Sequence, residues 1–446
     1  MLTLLSEINR TSKPKGEAVL KVPCVASSRN YRTSLRFRKY AAQKVIIIKR
    51  YCKNVDITNV EFIEKSCFDY LQGKWGRDDV QRMLSRFSHL PKSKIKEIVD
   101  AGEKHKLYDV VGDIATYMQS CIASRKLELQ PIRYHERIDG MSRKKRIIGV
   151  QEPLHQMFDY VVVNGMKPML NAKIGVFQCA SLPGKGQSYG KKYIERWIKE
   201  NKTVYFVKGD IEKCFPSIPM SRLKELLSRD IKNDHLLWLV FSLLDMFKNG
   251  LSIGSYLSQY LSNYYLSYAY HYASEQLFKI RRTKRDGNKR VRLVNHVLFY
   301  MDDFLLTGSS KKDLRKGMKM LIEYIASHLH LRVKPTWKIC KISEAEPIDM
   351  MGFVFRKNRS TIRTKIFIKT RRYFLKFQKL IKENKPVPIL LARQCISAYG
   401  WYKNTMSYTV RQKENMDFIH SACKKIIGND TKGEGNNAKI LQPETT

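Results

Sequence analysis

Phe299-Tyr300-Met301-Asp302-Asp303-Phe304-Leu305-Leu306 sets two adjacent carboxylates between apolar runs of aromatic and branched residues. Pleated surfaces favour such side chains and the acids interrupt them, so the stretch predicts strand, tight turn, strand. Neighbouring Asp side chains in an apolar hairpin repel each other unless something positive compensates. Hard Mg²⁺ prefers carboxylate oxygen and keeps positions open for phosphate, which makes a divalent cation a fitting counter-charge. The plain alternative is an Asp-Asp turn facing solvent, and these eight residues alone do not separate the two.

The charge of the whole chain narrows the choice. Across 446 residues, 83 Lys and Arg outnumber 41 Asp and Glu, a formal net charge of +42. The bases recur along the full length, in 29–38, 143–146, 279–292, 311–319 and 365–372. Such a protein repels itself unless it works against a polyanion, and nucleic acid bound through phosphates fits best. Anionic membrane is the weaker option, because no run approaches the ~18 apolar residues of a spanning helix. Nine scattered cysteines without a C-x-x-C pair, and ten scattered His, resemble neither a zinc site nor a disulfide framework. A reducing cytoplasm is the default location. Residues 1–7 are too short and too soon charged for a signal peptide.

Outward from the octet, the pattern predicts a mainly helical, basic segment over residues 1–99, with helices at 36–51 and 60–72. Within it, 32–38 interleaves Arg with Leu and Phe, a pattern that suits RNA or a solvated helical face. A helix follows within 97–127, with Val110, Val111, Ile114, Tyr117 and Met118 at helical spacing. Residues 134–150 read as a strand pair turning at Asp139-Gly140, its second strand carrying Arg143, Lys144, Lys145 and Arg146. Those side chains suit a triphosphate or an ordinary charged hairpin. A buried helix over 151–172 leads to Gly184-Lys185-Gly186, which lacks the spacing of a nucleotidase loop and reads as a turn. After a helix at 189–200, a strand over 204–208 runs out at Asp210, placed either as a ligand or as a cap for the residues from Ile211 onward.

Helices at 220–228 and 235–248 precede the loop Gly250-Leu251-Ser252-Ile253-Gly254. A long helix then carries Tyr at 260, 264, 265, 268, 270 and 272, more in keeping with core than with a ligand platform. A very basic hairpin spans 280–291 and turns at Asp286-Gly287. Beyond the octet come a Lys-rich helix (311–329), a strand within 331–342, a strand over 350–356, helices to about 427 and a polar tail. No internal repeat is evident.

Asp210 and the Asp302–Asp303 pair lie about ninety residues apart, separated by helices that let two antiparallel strands become neighbours. Three clustered acids in so positive a chain fit the bridging of two divalent ions, one activating a 3′-hydroxyl and one neutralising pyrophosphate. Tyr300-Met301-Asp302-Asp303, with the Asp210 segment and the Gly254 loop upstream in order, resembles a reverse transcriptase over residues 130–410. The resemblance implies an α+β right-hand polymerase, with a ferredoxin-like palm of antiparallel sheet and helices, and a basic N-terminal extension (1–99). It implies fingers with the first palm strand (100–208), a palm with inserted helices and the basic hairpin (209–358), a helical thumb (359–428) and a disordered tail (429–446).

By the same resemblance Asp210, Asp302 and Asp303 are the catalytic, metal-binding acids, joined by the carbonyl of Ile211, and hold two Mg²⁺ ions, for which Mn²⁺ can substitute. Phe215 excludes a ribose 2′-hydroxyl, and Arg146, with Lys144 or Lys145, grips the triphosphate beside Ile253 and Gly254. Ser258, Gln259, Tyr300, Met301 and Gly352 lie along template and primer. Lys334 or Lys338 is the downstream lysine that protonates pyrophosphate. Ile253-Gly254-x-x-x-Ser258-Gln259, Gly184-Lys185-Gly186 and Ser397-Ala398-Tyr399-Gly400-Trp401 resemble enzymes of bacterial diversity-generating retroelements and related phage-defence reverse transcriptases. The implied partners are a structured non-coding RNA template, a DNA or RNA primer, the cDNA product and dNTPs, with room for an accessory protein or a second copy of the chain. The rival readings are an inactive RNA-binding protein of polymerase fold and an RNA-dependent RNA polymerase, the latter disfavoured by Phe215.

Overall fold

The computed structural model describes residues 49–139, 144–283 and 287–431. The helix expected at 36–51 and the Arg-rich 32–38 stretch lie essentially outside the described residues, as do Arg143, parts of the two basic turns and the end of the tail.

Four helices come first: α1 (Val60–Leu71), α2 (Asp78–Ser88), α3 (Lys92–Asp100) and α4 (Tyr108–Ser124). The side chain of Asn59 caps α1 by accepting from the Phe62 N–H, a common use of Asn at this position. The sequence reading contained neither α2 nor α3. Both are so densely charged that only Val80, Met83 and Leu84 in one, and Ile95 and Ile98 in the other, mark their buried faces.

Strands β1 (Arg133–Ile138) and β2 (Lys145–Val150) form a ribbon, and α5 (Pro153–Lys173) follows with Pro at its start. Next come β3 (Gln178–Cys179), α6 (Gln187–Trp197), β4 (Tyr205–Asp210), the single turn α7 (Cys214–Ser217), α8 (Met220–Asp230), α9 (Asp234–Asp245) and α10 (Tyr256–His271). A second ribbon, β5 (Phe278–Thr283) and β6 (Gly287–Arg292), precedes β7 (His296–Tyr300), β8 (Asp303–Gly308), α11 (Lys311–Leu329) and β9 (Ile339–Lys341). A small antiparallel sheet of β10 (Ile348–Met350), β11 (Phe353–Phe355) and β12 (Ser360–Ile362) closes this part. The last helices are α12 (Thr364–Lys382), α13 (Ile389–Lys403), α14 (Tyr408–Lys413) and α15 (Met416–Thr431).

The central sheet has the order β3-β7-β8-β4-β9, antiparallel except where β3 meets β7. Its strands are apolar on both faces and alternate with period two. Phe304 and Leu306 of β8 join the large core built on α5, α10 and α11, while Leu305 between them joins a second core with α6 and β11. The tyrosines of α10 are mostly core, as expected: Tyr260, Tyr264, Tyr265 and Tyr270 are buried. A third core lies within α12–α15. Helices packed against mostly antiparallel sheets make the class α+β.

Three expectations need correction. The strand within 331–342 shrinks to Ile339–Lys341, with Val333 making one isolated bridge to Ile211; Pro335 between them has no N–H for a ladder. The strand over 350–356 is two strands, divided by Met351 (φ 54°) and Gly352 (φ 83°). The final helix continues to Thr431, beyond the expected start of the tail at 429. All eight described cysteines are buried and free.

Candidate active site

Strand β4 supplies Asp210 because its apolar run ends there, and β8 supplies Asp303 because the octet reverses at Met301 (φ 54°) and Asp302. In the register of the sheet Asp210 stands directly opposite Asp303. Side chains in such cross-strand pairs have Cβ atoms about 4.5–5.5 Å apart. Asp302 is fixed in the turn beside them, its carbonyl accepting the Ile211 N–H at 3.1 Å. The chain returning from α11 pins the other side of Asp210: the Lys334 N–H donates to the Asp210 carbonyl at 2.9 Å, and Glu212 N–H to Arg332 at 2.8 Å. Asp210 is no helix cap; the residue preceding α7 is Lys213.

Burial and mutual repulsion both act on the acids. Burial pushes Asp303 up to about 6, with the charges of Asp302 and Asp210 adding to it and Lys208 and Lys334 opposing. Asp302 is raised mainly by burial and then by Asp210, with Lys334 and Arg146 opposing. Lys334 Nζ lies 2.5 Å from Asp210 Oδ1, and that contact holds the lysine above its ordinary value. Among the described residues no three His, Cys, Asp or Glu side chains are gathered as a finished metal cluster; Asp210 is turned to Lys334. The donor chemistry nevertheless fits Mg²⁺: carboxylate oxygens only, and partly open.

Around the acids the structure gathers some of the expected residues and parts others. Arg146 is close enough for its charge to act on Asp302. Lys145, its neighbour on β2, points to the other face of the ribbon and pairs with Glu136; the Lys144 carbonyl accepts from Asp139 N–H. Phe215 lies in the turn after Asp210, and its carbonyl accepts the Leu251 N–H at 2.9 Å, tying that turn to the loop before α10. Ile253 and Gly254 run along β2, with Gly149 N–H donating to the Ile253 carbonyl at 2.8 Å. Gly254 (φ 111°) has no room for a side chain, since a Cβ would stand 2.6 Å from the Gly149 carbonyl oxygen.

Ser258 is buried in the first turn of α10, while Gln259 is half-exposed and its carbonyl accepts from Asn263 Nδ2, which also contacts Met301 Sδ at 3.3 Å. Tyr300 pairs with Asp303 across the hairpin and with Cys179 of β3. Gly352 lies in the β10–β11 turn, three residues after Asp349 of β10, whose carbonyl accepts from Lys208 Nζ. Of the two downstream lysines, Lys334 is in the site, whereas Lys338 is exposed and paired with Glu346. Lys185 donates to the Gly175 carbonyl at 3.1 Å, which accords with the turn reading of its loop.

One group escaped the sequence reading. Asp159, fully buried on α5, accepts from Ser255 Oγ at 2.9 Å and from the Leu257 N–H at 3.4 Å. Ser255 in turn caps α10, so Asp159 anchors the end of the Gly254 loop from behind. Burial pushes its carboxyl up to about 7. The available signal was a lone acid inside the apolar run Met157–Val163, which looks like any helix position until the loop is packed against it.

With this geometry in view, residues 138–355 match the family described as Reverse transcriptase (RNA-dependent DNA polymerase). The matched domain implies a polymerase palm fold and indicates an RNA-directed DNA polymerase, a nucleotidyltransferase. No curated protein matches the chain. Among the described residues no helix is long and apolar enough to cross a membrane.

Proposed function

We propose that the chain copies RNA into DNA by two-metal nucleotidyl transfer centred on Asp210, Asp302 and Asp303. The register that sets Asp210 opposite Asp303, with Asp302 in the adjoining turn, carries this reading. Two Mg²⁺ ions held by these acids and the Ile211 carbonyl would activate the 3′-hydroxyl and neutralise the departing pyrophosphate. Arg146 binds the triphosphate from β2. Phe215 occupies the volume a 2′-hydroxyl needs and so selects dNTPs. Lys334, released from Asp210, gives its proton to pyrophosphate, while Ile253, Gly254, Ser258 and Gln259 line the nascent pair. Tyr300, Met301 and Gly352 support the primer end, and Lys338 touches nucleic acid further out.

In this reading residues 100–208 are fingers with the first palm strand, 209–358 palm and 359–428 thumb, and the basic segment 1–99 binds a dedicated structured non-coding RNA in the cytoplasm. The biological setting is phage defence or retroelement mutagenesis. A primer-extension assay tests the chemistry: Asp302→Ala with Asp303→Ala abolishes dNTP incorporation while RNA binding survives. Incorporation retained by that double variant, or NTPs used as readily as dNTPs, overturns the assignment.

A further inference from the structure

The ribbon β5–β6 plays no part in the site described above. Between residues 278 and 292 the sequence has eight Lys and Arg and one acid, Asp286. Among the described residues of the ribbon only Lys279 has an ion-pair partner, Asp313 of α11, at 2.6 Å. Cross-strand register places Arg281 directly opposite Lys289, a like-charge pair that weakens a ribbon. The same register puts Arg282, Arg290 and Arg292 on one face with Phe278 and the exposed Ile280, Arg290 lying 3.5 Å over the Phe278 ring. A lone two-stranded ribbon is marginal in water even without such repulsion.

The ribbon's root packs on α11, where Leu277, Leu293 and Val294 surround Gly317. That helix continues the anomaly. Lys311, Lys312, Arg315, Lys316 and Lys319 are all exposed on its first half, none ion-paired among the described residues. Cations at a helix N-terminus oppose the helix dipole. Two neighbouring elements thus accept unfavourable charge placement on one continuous surface. This surface lies at the His296 end of β7, five residues and roughly 17 Å along the strand from the carboxylates.

We infer that the β5–β6 ribbon and the first half of α11 form a second RNA-binding surface that grips the phosphate backbone of template RNA outside the stretch being copied. The polyanion is taken as RNA because of the function proposed above, on which this inference rests. A membrane surface fits less well, since binding there needs an apolar face to bury and, among the described residues of the ribbon, Ile280 is the one exposed large apolar side chain. Forked guanidinium groups on an extended ribbon instead suit successive phosphates.

The test uses the full chain and two variants, Arg282→Ala/Arg290→Ala/Arg292→Ala and the same three positions changed to Lys. Affinity for a long structured RNA is measured against salt, beside extension of a minimal primer–template duplex and binding to phosphatidylserine vesicles. The Ala variant is expected to bind the long RNA at least about tenfold more weakly, with a log–log salt slope flatter by about 2 to 3, as loss of three phosphate contacts requires. The Lys variant keeps the slope, and both extend the minimal duplex like the parent. An unchanged slope overturns the inference, as does loss confined to vesicle binding. Equal loss on the minimal duplex overturns it too, by assigning the ribbon to the catalytic path. A parent protein that extends no primer at all is a separate result and sinks the polymerase reading instead.

Discussion

Two hairpins follow each other in this chain and could hardly differ more. The β7–β8 hairpin is apolar, lies inside a five-stranded sheet and concentrates negative charge at one half-buried turn. The β5–β6 hairpin is exposed, has one partner strand and spreads positive charge along its length. Acids forced together under partial cover suit a compact cation at a fixed point, because a lower local dielectric strengthens their attraction to a cation held there. Bases strung along an open ribbon suit a partner that is itself extended. Backbone pairing makes both hairpins; surroundings decide which kind of counter-charge each can take.

The sharpest way to break the contrast is to remove the cation paired with Asp210. Lys334→Met leaves Asp210 without that partner, and nucleotide incorporation is expected to fall by about 10²-fold or more, as for loss of a general acid. Single-turnover rates over a Mg²⁺ titration measure it; a loss that extra Mg²⁺ fully restores would mean that Lys334 only compensates charge and transfers no proton. Next in size is the stability locked in the buried pair. Because Asp303 is raised from 3.8 to about 6, the folded protein holds this proton more tightly than the unfolded chain. The contribution of this one group is therefore fully present below about pH 4 and is lost as pH rises through about 6. In metal-free buffer at pH 7.5, Asp303→Asn is expected to be more stable than the parent by about 1–3 kcal/mol. The gain vanishes near pH 4, and added Mg²⁺ stabilises the parent alone; urea unfolding at the two pH values decides it. The smallest effect lies on the open ribbon. Arg281→Glu turns a repelling cross-strand pair into an attracting one, for a gain of a few tenths of a kcal/mol and a weaker hold on long RNA. A melting curve unmoved or lowered by this change would show that the Arg281–Lys289 repulsion is not felt.

Much of this was legible because the informative elements are periodic. The octet's apolar flanks, the strand running out at Asp210 and the Asp-Gly turn of the basic ribbon all announce strands through side-chain pattern alone. The partnership of Asp210 with Asp303 depends on register, yet it could be anticipated, since acids at the ends of separate antiparallel strands fit a shared cation. What stayed hidden was decided by packing over distance. The choice between Lys334 and Lys338 rests on where Pro335 lets the chain leave the sheet. Separation of Arg146 from Lys145 follows from strand alternation, but only once the ribbon's orientation to the acids is known. Asp159 anchors a loop almost a hundred residues away, and nothing near it in sequence says so. The two charged helices α2 and α3 carry too few apolar residues for their period to stand out.

Trp401 of α13 belongs partly to the core of the last four helices and partly to the core beneath β10–β11. Its ring lies where a side chain at residue 352 would have to go, 2.6 Å from the position of a Cβ there. Around it the junction is narrow: the Arg363 N–H on the Gly352 carbonyl and an ion pair from Arg363 to Asp349. Any side chain at residue 352 would have to displace both Trp401 and Ile366, so even Gly352→Ala would disturb the seating of α12 and α13 on this turn.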